Sequence, residues 1–493
     1  MPSSRLGRNS IMLIGAEFVG RAINMVVSIL MRRWLLPERM GVMGTITSYG
    51  VIPAIVAEAG MTRATIQQIA RSEPEALPLL IGHMAATRLA TNFIYLLLTW
   101  TSLLLPFNDK LASQEKWFIV IWSCSMVFQS FRRNAEAAFL ATEKLRYQSL
   151  LVIVNRLVSG ALVLGVIHWN RQSLHIPQGA PGWYSIMGFV FGAYLVADLF
   201  DWLLSWIVLR KSITNPVFNF DWRPKLQLLI VGWPFALQML AGQIYFFIDV
   251  PLIRYLYKRP EAEVLREIGD YGTAYNMILV LISIPINLSY TLFPQMSRAF
   301  HTGDQSRLYS LFGYSLQLMI LAGTPIALAF FLFRSEFITI VYGPSYLHAI
   351  PMMAVLAWTL PLAFVNATIS NLMAASDKQN FVNIAMITAA AFNVIVNVMV
   401  IPVHGAVGSS FVTLATEAVM LLVQVICVLA FHRAAFHMRK ISPMLMFQLA
   451  SFFLFLYVQH LPITVRVIAY LVYAVACVLW GRKMVLARRF QTA

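Results

Sequence analysis

Nearly unbroken apolar segments of about 20 residues run the length of this chain, and they limit its fold more than any other feature. At 1.5 Å per residue, a helix of that length crosses the roughly 30 Å hydrocarbon core of a bilayer. The segments fall at about 10–31, 41–59, 79–105, 117–138, 148–168, 184–209, 226–257, 270–296, 308–333, 348–374, 380–402, 406–430, 442–460 and 464–487. These fourteen spans predict an all-α integral membrane protein, because a helix satisfies its own backbone groups in lipid. An even number of crossings puts both termini on one side. A soluble domain is excluded: with 59% of its 493 residues hydrophobic and 12% charged, the chain cannot wet its own surface.

The positive-inside rule selects the side. With a cytoplasmic N-terminus, inner loops and tails hold 22 Lys/Arg, including Arg132-Arg133, Arg210-Lys211, Arg439-Lys440, Arg482-Lys483 and Arg488-Arg489; outer loops hold 12. The remaining three, Arg21, Arg88 and Arg156, sit deeper in their spans, at middle or inner depth, and not toward a loop. The expected location is therefore the cell inner (cytoplasmic) membrane, with both termini cytoplasmic. The net charge of +16 then suits anionic lipid headgroups. Nucleic acid is not an expected partner, because the basic residues are spread over many short loops. Arg5 and Arg8 precede a first span too long for a signal peptide, and it carries Glu17 and Arg21. Cys124, Cys427 and Cys477 all lie within spans, which argues against a disulfide framework or a thiolate metal site.

The chain also repeats itself. Gly41-Val42-Met43-Gly44-Thr45 returns as Gly269-Asp270-Tyr271-Gly272-Thr273. Ala141-Thr142-Glu143-Lys144, with Tyr147 beyond it, returns as Ala375-Ser376-Asp377-Lys378 with Phe381. Order is kept, and the motifs are separated by 100 residues in one half and 106 in the other. Such repeats build many secondary transporters, with the substrate path at the repeat interface.

A charge at the bilayer centre costs about 2.5–3.5 kcal/mol even on the lenient insertion scale. The spans keep nine: Glu17, Glu58, Asp198, Asp201, Asp249, Glu417 and the three arginines. Facing lipid they would cost on the order of 25 kcal/mol, more than a typical folding free energy. Helical spacing lines them up. Glu17, Arg21, Asn24 and Ser28 share one face; so do Arg88, Asn92, Tyr95 and Thr99, then Tyr194, Asp198, Asp201 and Ser205, then Gln238, Gly242, Tyr245 and Asp249. The stripes fit a shared polar cavity, or else buried helix-to-helix pairs such as Glu17 with Arg21. Arginine stays charged and grips phosphate in two places at once, so an anionic headgroup is the expected ligand of Arg21, Arg88 and Arg156. Asp198 and Asp201 are expected to hold those arginines when the site is empty. Pro53, Gly232-Trp233-Pro234, Pro285, Pro294, Pro325 and Pro361 are positions where spans should bend.

Enzyme chemistry is not expected. The nine histidines are scattered with no metal-ligand spacing, and neither Gly-x-Ser-x-Gly nor a Walker loop occurs. Connections are mostly below about 20 residues, too short to fold a catalytic domain. A membrane-embedded glycosyl polymerase should show a large outer loop of paired acids and bases. The nearest candidate, 258–270, reads as a solvated charge run.

Several segments carry a resemblance. Leu36-Pro37-Glu38 leading to Gly41, then Glu58-Ala59-Gly60-Met61 and the polar run to Arg71, resemble the start of polysaccharide flippases of the multidrug/oligosaccharidyl-lipid/polysaccharide exporter superfamily. So do Gly269-Asp270-Tyr271-Gly272-Thr273-Ala274-Tyr275, Leu292-Phe293-Pro294-Gln295-Met296-Ser297-Arg298 and Tyr342-Gly343-Pro344-Ser345-Tyr346. The resemblance implies two pseudo-symmetric six-helix lobes, 1–211 and 212–433, in a V around a central cavity, with two further helices in 434–493. It implies that an undecaprenyl-diphosphate-linked oligosaccharide is moved from inner to outer leaflet for O-antigen or exopolysaccharide assembly. Implied partners are that substrate, the bilayer, a polysaccharide polymerase and the chain-length and export machinery. Peptidoglycan-precursor flippases of the superfamily also have fourteen spans, and some bind sodium. At comparable places this chain has Asp249, Asn393, Asn397 and Thr413, with Asn397 where that pattern has a second carboxylate. Glu417, one turn from Thr413, is the alternative proton carrier. The expected coupling ion is thus Na+ or H+, with no other cofactor. The competing readings are a peptidoglycan-precursor lipid flippase and a cation-coupled multidrug or small-molecule antiporter, the latter favouring an acidic, aromatic cavity over a cationic one.

Overall fold

The computed structural model describes residues 2–51, 53–218, 221–435 and 438–492; the side chains of Arg5, Arg8, Arg439, Lys440, Arg488 and Arg489, counted above, lie outside the described ones. Within these residues the chain is seventeen α-helices joined by short connections, and all fourteen expected spans fall on helical chain. Seven helices are long and apolar enough to cross a membrane, or up to nine if each of two bent pairs is one span. Helices holding Arg88, Asn92, Arg132 and Arg133 miss that composition because of these residues.

The chain packs as two compact units: residues 1–255 with 259–269, and residues 256–258 with 270–493. The first contains α1 (Pro2–Val51), α2 (Ala54–Glu58), α3 (Met61–Arg71), α4 (Leu77–Ser102), α5 (Ser113–Ala141), α6 (Leu145–Trp169), α7 (Ser185–Ser212), α8 (Trp222–Phe247), α9 (Asp249–Leu256) and the start of α10 (Glu261–His301). Here α5 packs on α7, and α1 and α7 each pack on α6. The second contains the rest of α10, then α11 (Gln305–Leu332), α12 (Arg334–Val341), α13 (Ala349–Leu356), α14 (Thr359–Ala375), α15 (Gln379–Phe431), α16 (Met438–Val458) and α17 (Ile463–Thr492). Its core runs from Leu308 and Phe312 on α11 through Ile369 and Leu372 on α14 to Phe455 and Tyr473 on the last two helices.

Breaks in the long helices have local causes. α1 takes a left-handed turn at Leu36 (φ 67°) just before Pro37, and α15 breaks at Gly405 (φ 55°) after Pro402. Each therefore holds two of the expected spans. Bends of 46° and 50° fall at Pro53 and around Trp233-Pro234, two of the places the sequence marks.

The repeats turn out to be two structural devices. Glu143 (φ 56°) and Asp377 (φ 59°) are both left-handed residues just past a helix end. In each copy the following lysine N–H reaches back five residues, Lys144 to Phe139 O at 2.9 Å and Lys378 to Met373 O at 2.8 Å. This is the hydrogen-bonding of a Schellman cap, with an acid where glycine is usual. The glycines make a close crossing inside the first unit. A Cβ on Gly41 would lie 1.8 Å from Leu265 O, and one on Gly269 1.9 Å from Pro37 O. Each glycine meets the carbonyl four residues before the other, a reciprocity that places α1 and α10 about a local two-fold relation. Gly41→Ala and Gly269→Ala must push backbones apart, and each is expected to destabilise by about 1–3 kcal/mol or more. Thermal melting of the purified protein measures this, and an unchanged melt for both variants would refute the close crossing.

Candidate functional site

Two charged clusters sit inside the first unit. The first joins α2, α3, α4 and α5. Arg88, on α4 and fully buried, donates to Glu58 Oε2 at 2.8 Å, Ser130 Oγ at 2.9 Å and Thr62 Oγ1 at 2.7 Å. Arg133 on α5 also reaches Glu58 Oε2, at 3.2 Å, and the Thr62 backbone N–H donates to Glu58 Oε1 at 3.0 Å. Asn92 Nδ2 donates to the same Ser130 hydroxyl at 3.2 Å. Glu58 thus carries two cations, and the ion pair is closed off from solvent.

The second cluster joins α1, α5, α6 and α7. Arg132 lies 3.2 Å from Asp201 Oδ2 and 3.2 Å from Glu136 Oε2, and within electrostatic range of Asp198 and Glu17. Asp198 accepts from Ser125 Oγ and from Gln129 Nε2, the latter at 3.0 Å. Arg156 is exposed and within electrostatic range of Asp198 and Asp201. Its aliphatic stem lies 3.5 Å from where a Cβ on Gly20 would be, which brings it beside the α1 turn that carries Arg21. Arg21, Asn24 and Glu17 are all exposed. Among the described residues no ion pair or hydrogen bond engages the guanidinium of Arg21 or Arg156.

The structure therefore brings Glu17, Arg156, Asp198 and Asp201 together and places Arg88 and Asn92 in a different, sealed cluster. Three expectations change. Arg88 does not present its guanidinium to an opening, because Glu58 takes it; the period placed it on the right face but said nothing of what that face meets. Glu17 is associated with Arg132 rather than paired with Arg21. Asp201 holds Arg132, not one of the three in-span arginines. Arg132 and Arg133, read from the sequence as inner-loop charges, lie well inside α5 and are principal members of the two clusters. The signal for them was the Arg132–Glu136 spacing of four on a continuing helix.

Among the coupling residues, Asp249 is buried and opens α9, in the first unit. Asn393, Asn397, Thr413 and Glu417 are buried in α15, in the second. Asn397 Nδ2 donates to Asn393 Oδ1 at 3.1 Å, and Asn393 Nδ2 to Thr416 Oγ1 at 3.4 Å. Thr413 Oγ1 donates to Ser409 O at 2.9 Å and lies 3.2 Å from the Tyr271 hydroxyl. Glu417 Oε2 accepts from Asn366 Nδ2 at 2.8 Å. Amide and hydroxyl oxygens suit a hard cation, but Asn393, Asn397 and Thr413 supply no negative charge to hold one.

A family model described as "Polysaccharide biosynthesis protein" matches residues 6–300 of the chain. A stretch of 180 residues is 24% identical to the probable low-salt glycan biosynthesis flippase Agl15 of Haloferax volcanii, covering 36% of this chain and 37% of that protein. Another of 166 residues is 25% identical to an uncharacterized membrane protein of Methanocaldococcus jannaschii, covering 33% of this chain and 32% of that one. The chain thus spans only about a third of the length of these curated relatives. Among solved structures it is similar to the lipid II flippase MurJ in an inward-closed conformation, with a TM-score of 0.73 at 15% identity over 96% of this chain and 100% of that one. It is also similar to an inward-facing multidrug transporter of the MATE family, with a TM-score of 0.64 at 13% identity over 85% of this chain and 98% of that one. At these identities the two structures share its fold, and each has a different substrate.

Proposed function

Because the chain belongs to the polysaccharide biosynthesis protein family, we propose that it flips an undecaprenyl-diphosphate-linked oligosaccharide from the inner to the outer leaflet of the cytoplasmic membrane, for O-antigen or exopolysaccharide assembly. The observation that carries the reading is the pair of exposed arginines, Arg21 and Arg156, beside a cluster whose acids are already engaged with Arg132, Ser125 and Gln129. Permanent cations without a bound carboxylate suit a diphosphate, which takes paired N–H donors from guanidinium. The same feature disfavours the drug antiporter, whose cationic cargo would be repelled. The lipid tail stays in the bilayer while access to the headgroup alternates between the two compartments.

In this reading a proton gradient supplies the drive at Glu417, a buried carboxylate of the second unit bound by Asn366. Translocation that follows a sodium gradient at clamped pH and ignores a proton gradient would move the coupling to the Asn393, Asn397 and Thr413 group. The reading as a whole is tested in a strain lacking its own polysaccharide flippase. Expression of this chain is expected to restore surface polysaccharide and leave drug resistance unchanged. Drug resistance without polysaccharide would establish the antiporter instead.

A further inference from the structure

A cleft of about 480 Å³ opens between the start of α5, the start of α7 and the loop before α7, within the first unit. That volume lies in the range of about 300–1,000 Å³ used for small-ligand binding. Its walls are Phe118, Trp183 and Tyr184 with Gln114, Ser185 and the Gly179-Ala180-Pro181-Gly182 turn, and among the described residues no charged side chain lines it. In the orientation proposed above it faces the outer compartment.

The cleft is preformed. Successive turns fix the loop, with Ala180 N–H donating to Pro177 O, Trp183 N–H to Ala180 O and Ser185 N–H to Gly182 O, at 3.1, 3.1 and 3.0 Å. Gly179 and Gly182 have φ of 83° and 88°, so the turn leaves backbone bare where side chains would fill the cleft. Behind it, Arg39 on α1 anchors the loop, donating to Ser173 O at 2.9 Å and Leu174 O at 3.0 Å, and lying 5.3 Å over the Trp183 ring. Trp183 in turn meets Tyr184 edge-on at 4.7 Å.

Aromatic residues near a membrane surface are most often a belt that faces lipid. Trp117 and Trp169, 68% and 89% exposed, fit that role; Trp183 and Phe118, 4% and 7% exposed, do not. Around the cleft, among the described residues, no hydrogen bond engages the Gln114 amide, the Trp183 indole N–H or the Tyr184 hydroxyl. The Tyr184 hydroxyl, a phenol, is protonated at neutral pH and can both give and take a hydrogen bond.

We propose that this outer cleft is a saccharide subsite, binding a neutral mono- or disaccharide unit of the glycan. A partly exposed ring that can stack on apolar C–H surfaces, here Tyr184, together with an amide and hydroxyl able to both give and take hydrogen bonds, is the chemistry that recognises a sugar. The absence of lining charge excludes the diphosphate. The glycan source rests on the flippase reading; the cleft itself does not.

The test uses the full chain in lipid nanodiscs. The probe is the repeat-unit oligosaccharide freed by mild acid from the host's own lipid-linked pool, followed by saturation-transfer NMR. Binding is expected to saturate, to be indifferent to pyrophosphate, and to weaken about ten-fold in Gln114→Ala and in Tyr184→Leu, the factor one lost contact supplies. Both side chains lie outside the buried core, so the variants should melt like the parent chain. Absence of saturable binding, equal affinity in both variants, or competition by pyrophosphate would overturn the subsite. Surface polysaccharide is scored in parallel. Rescue of polysaccharide without saccharide binding removes the cleft and leaves the flippase; saccharide binding without rescue removes the flippase and leaves the cleft.

Discussion

Glu58→Ala is expected to lose about 3–5 kcal/mol of stability, the cost of removing one partner from a buried ion pair. Arg88 is fully buried, and Glu58 is its carboxylate among the described residues. Arginine cannot shed its proton to escape, so the charge would stay uncompensated within the helix bundle. Arg88→Ala should cost less, because Glu58 keeps Arg133 at 3.2 Å. Combining Glu58→Gln with Arg88→Gln should recover much of the loss, since a neutral, hydrogen-bonding pair replaces the charges. Thermal melting of the detergent-solubilised protein ranks the variants. An unchanged melt for Glu58→Ala, or a lower one for Arg88→Ala, would contradict the description of that cluster.

The second large effect is on transport. Arg21→Ala combined with Arg156→Ala is expected to abolish polysaccharide output while protein level and melting stay near the parent values. Both side chains are exposed, and neither guanidinium is part of a described ion pair. Truncation therefore strands no buried acid, in contrast to Glu58→Ala. Losing two charge-assisted contacts to phosphate, each about 1.5–3 kcal/mol, amounts to roughly a hundred-fold or more in affinity. Arg21→Lys is a sharper variant: it keeps the charge and loses the two-pronged geometry, and should give intermediate output.

Much of this architecture was legible before any coordinates. Segment length and apolarity announce the helices, and period alone aligns Glu17, Asp198 and Asp201 with their neighbours. The i,i+4 relation of Asn393 and Asn397 likewise becomes a hydrogen bond. What period cannot supply is the partner across the gap. It places Arg88 on a polar face, but not opposite Glu58, which approaches from a five-residue helix behind the bend at Pro53. Counting basic residues toward loops also misplaced Arg132 and Arg133, because a charge deep in a helix and one at its end look alike in a sequence. The repeats were visible as letters; that they encode an acid-capped helix end and a reciprocal glycine crossing depends on dihedral angles.

Exposed cations in the first unit are proposed to hold a diphosphate-linked glycan while it crosses the bilayer. The most direct measurement is translocation of a fluorescent undecaprenyl-diphosphate-linked oligosaccharide in proteoliposomes, read by the access of an impermeant glycan-modifying enzyme to the far leaflet. The parent chain should move the lipid and the Arg21→Ala, Arg156→Ala double variant should not, at equal reconstitution. Equal translocation by the two proteins, or none by the parent chain under either a proton or a sodium gradient, would contradict it.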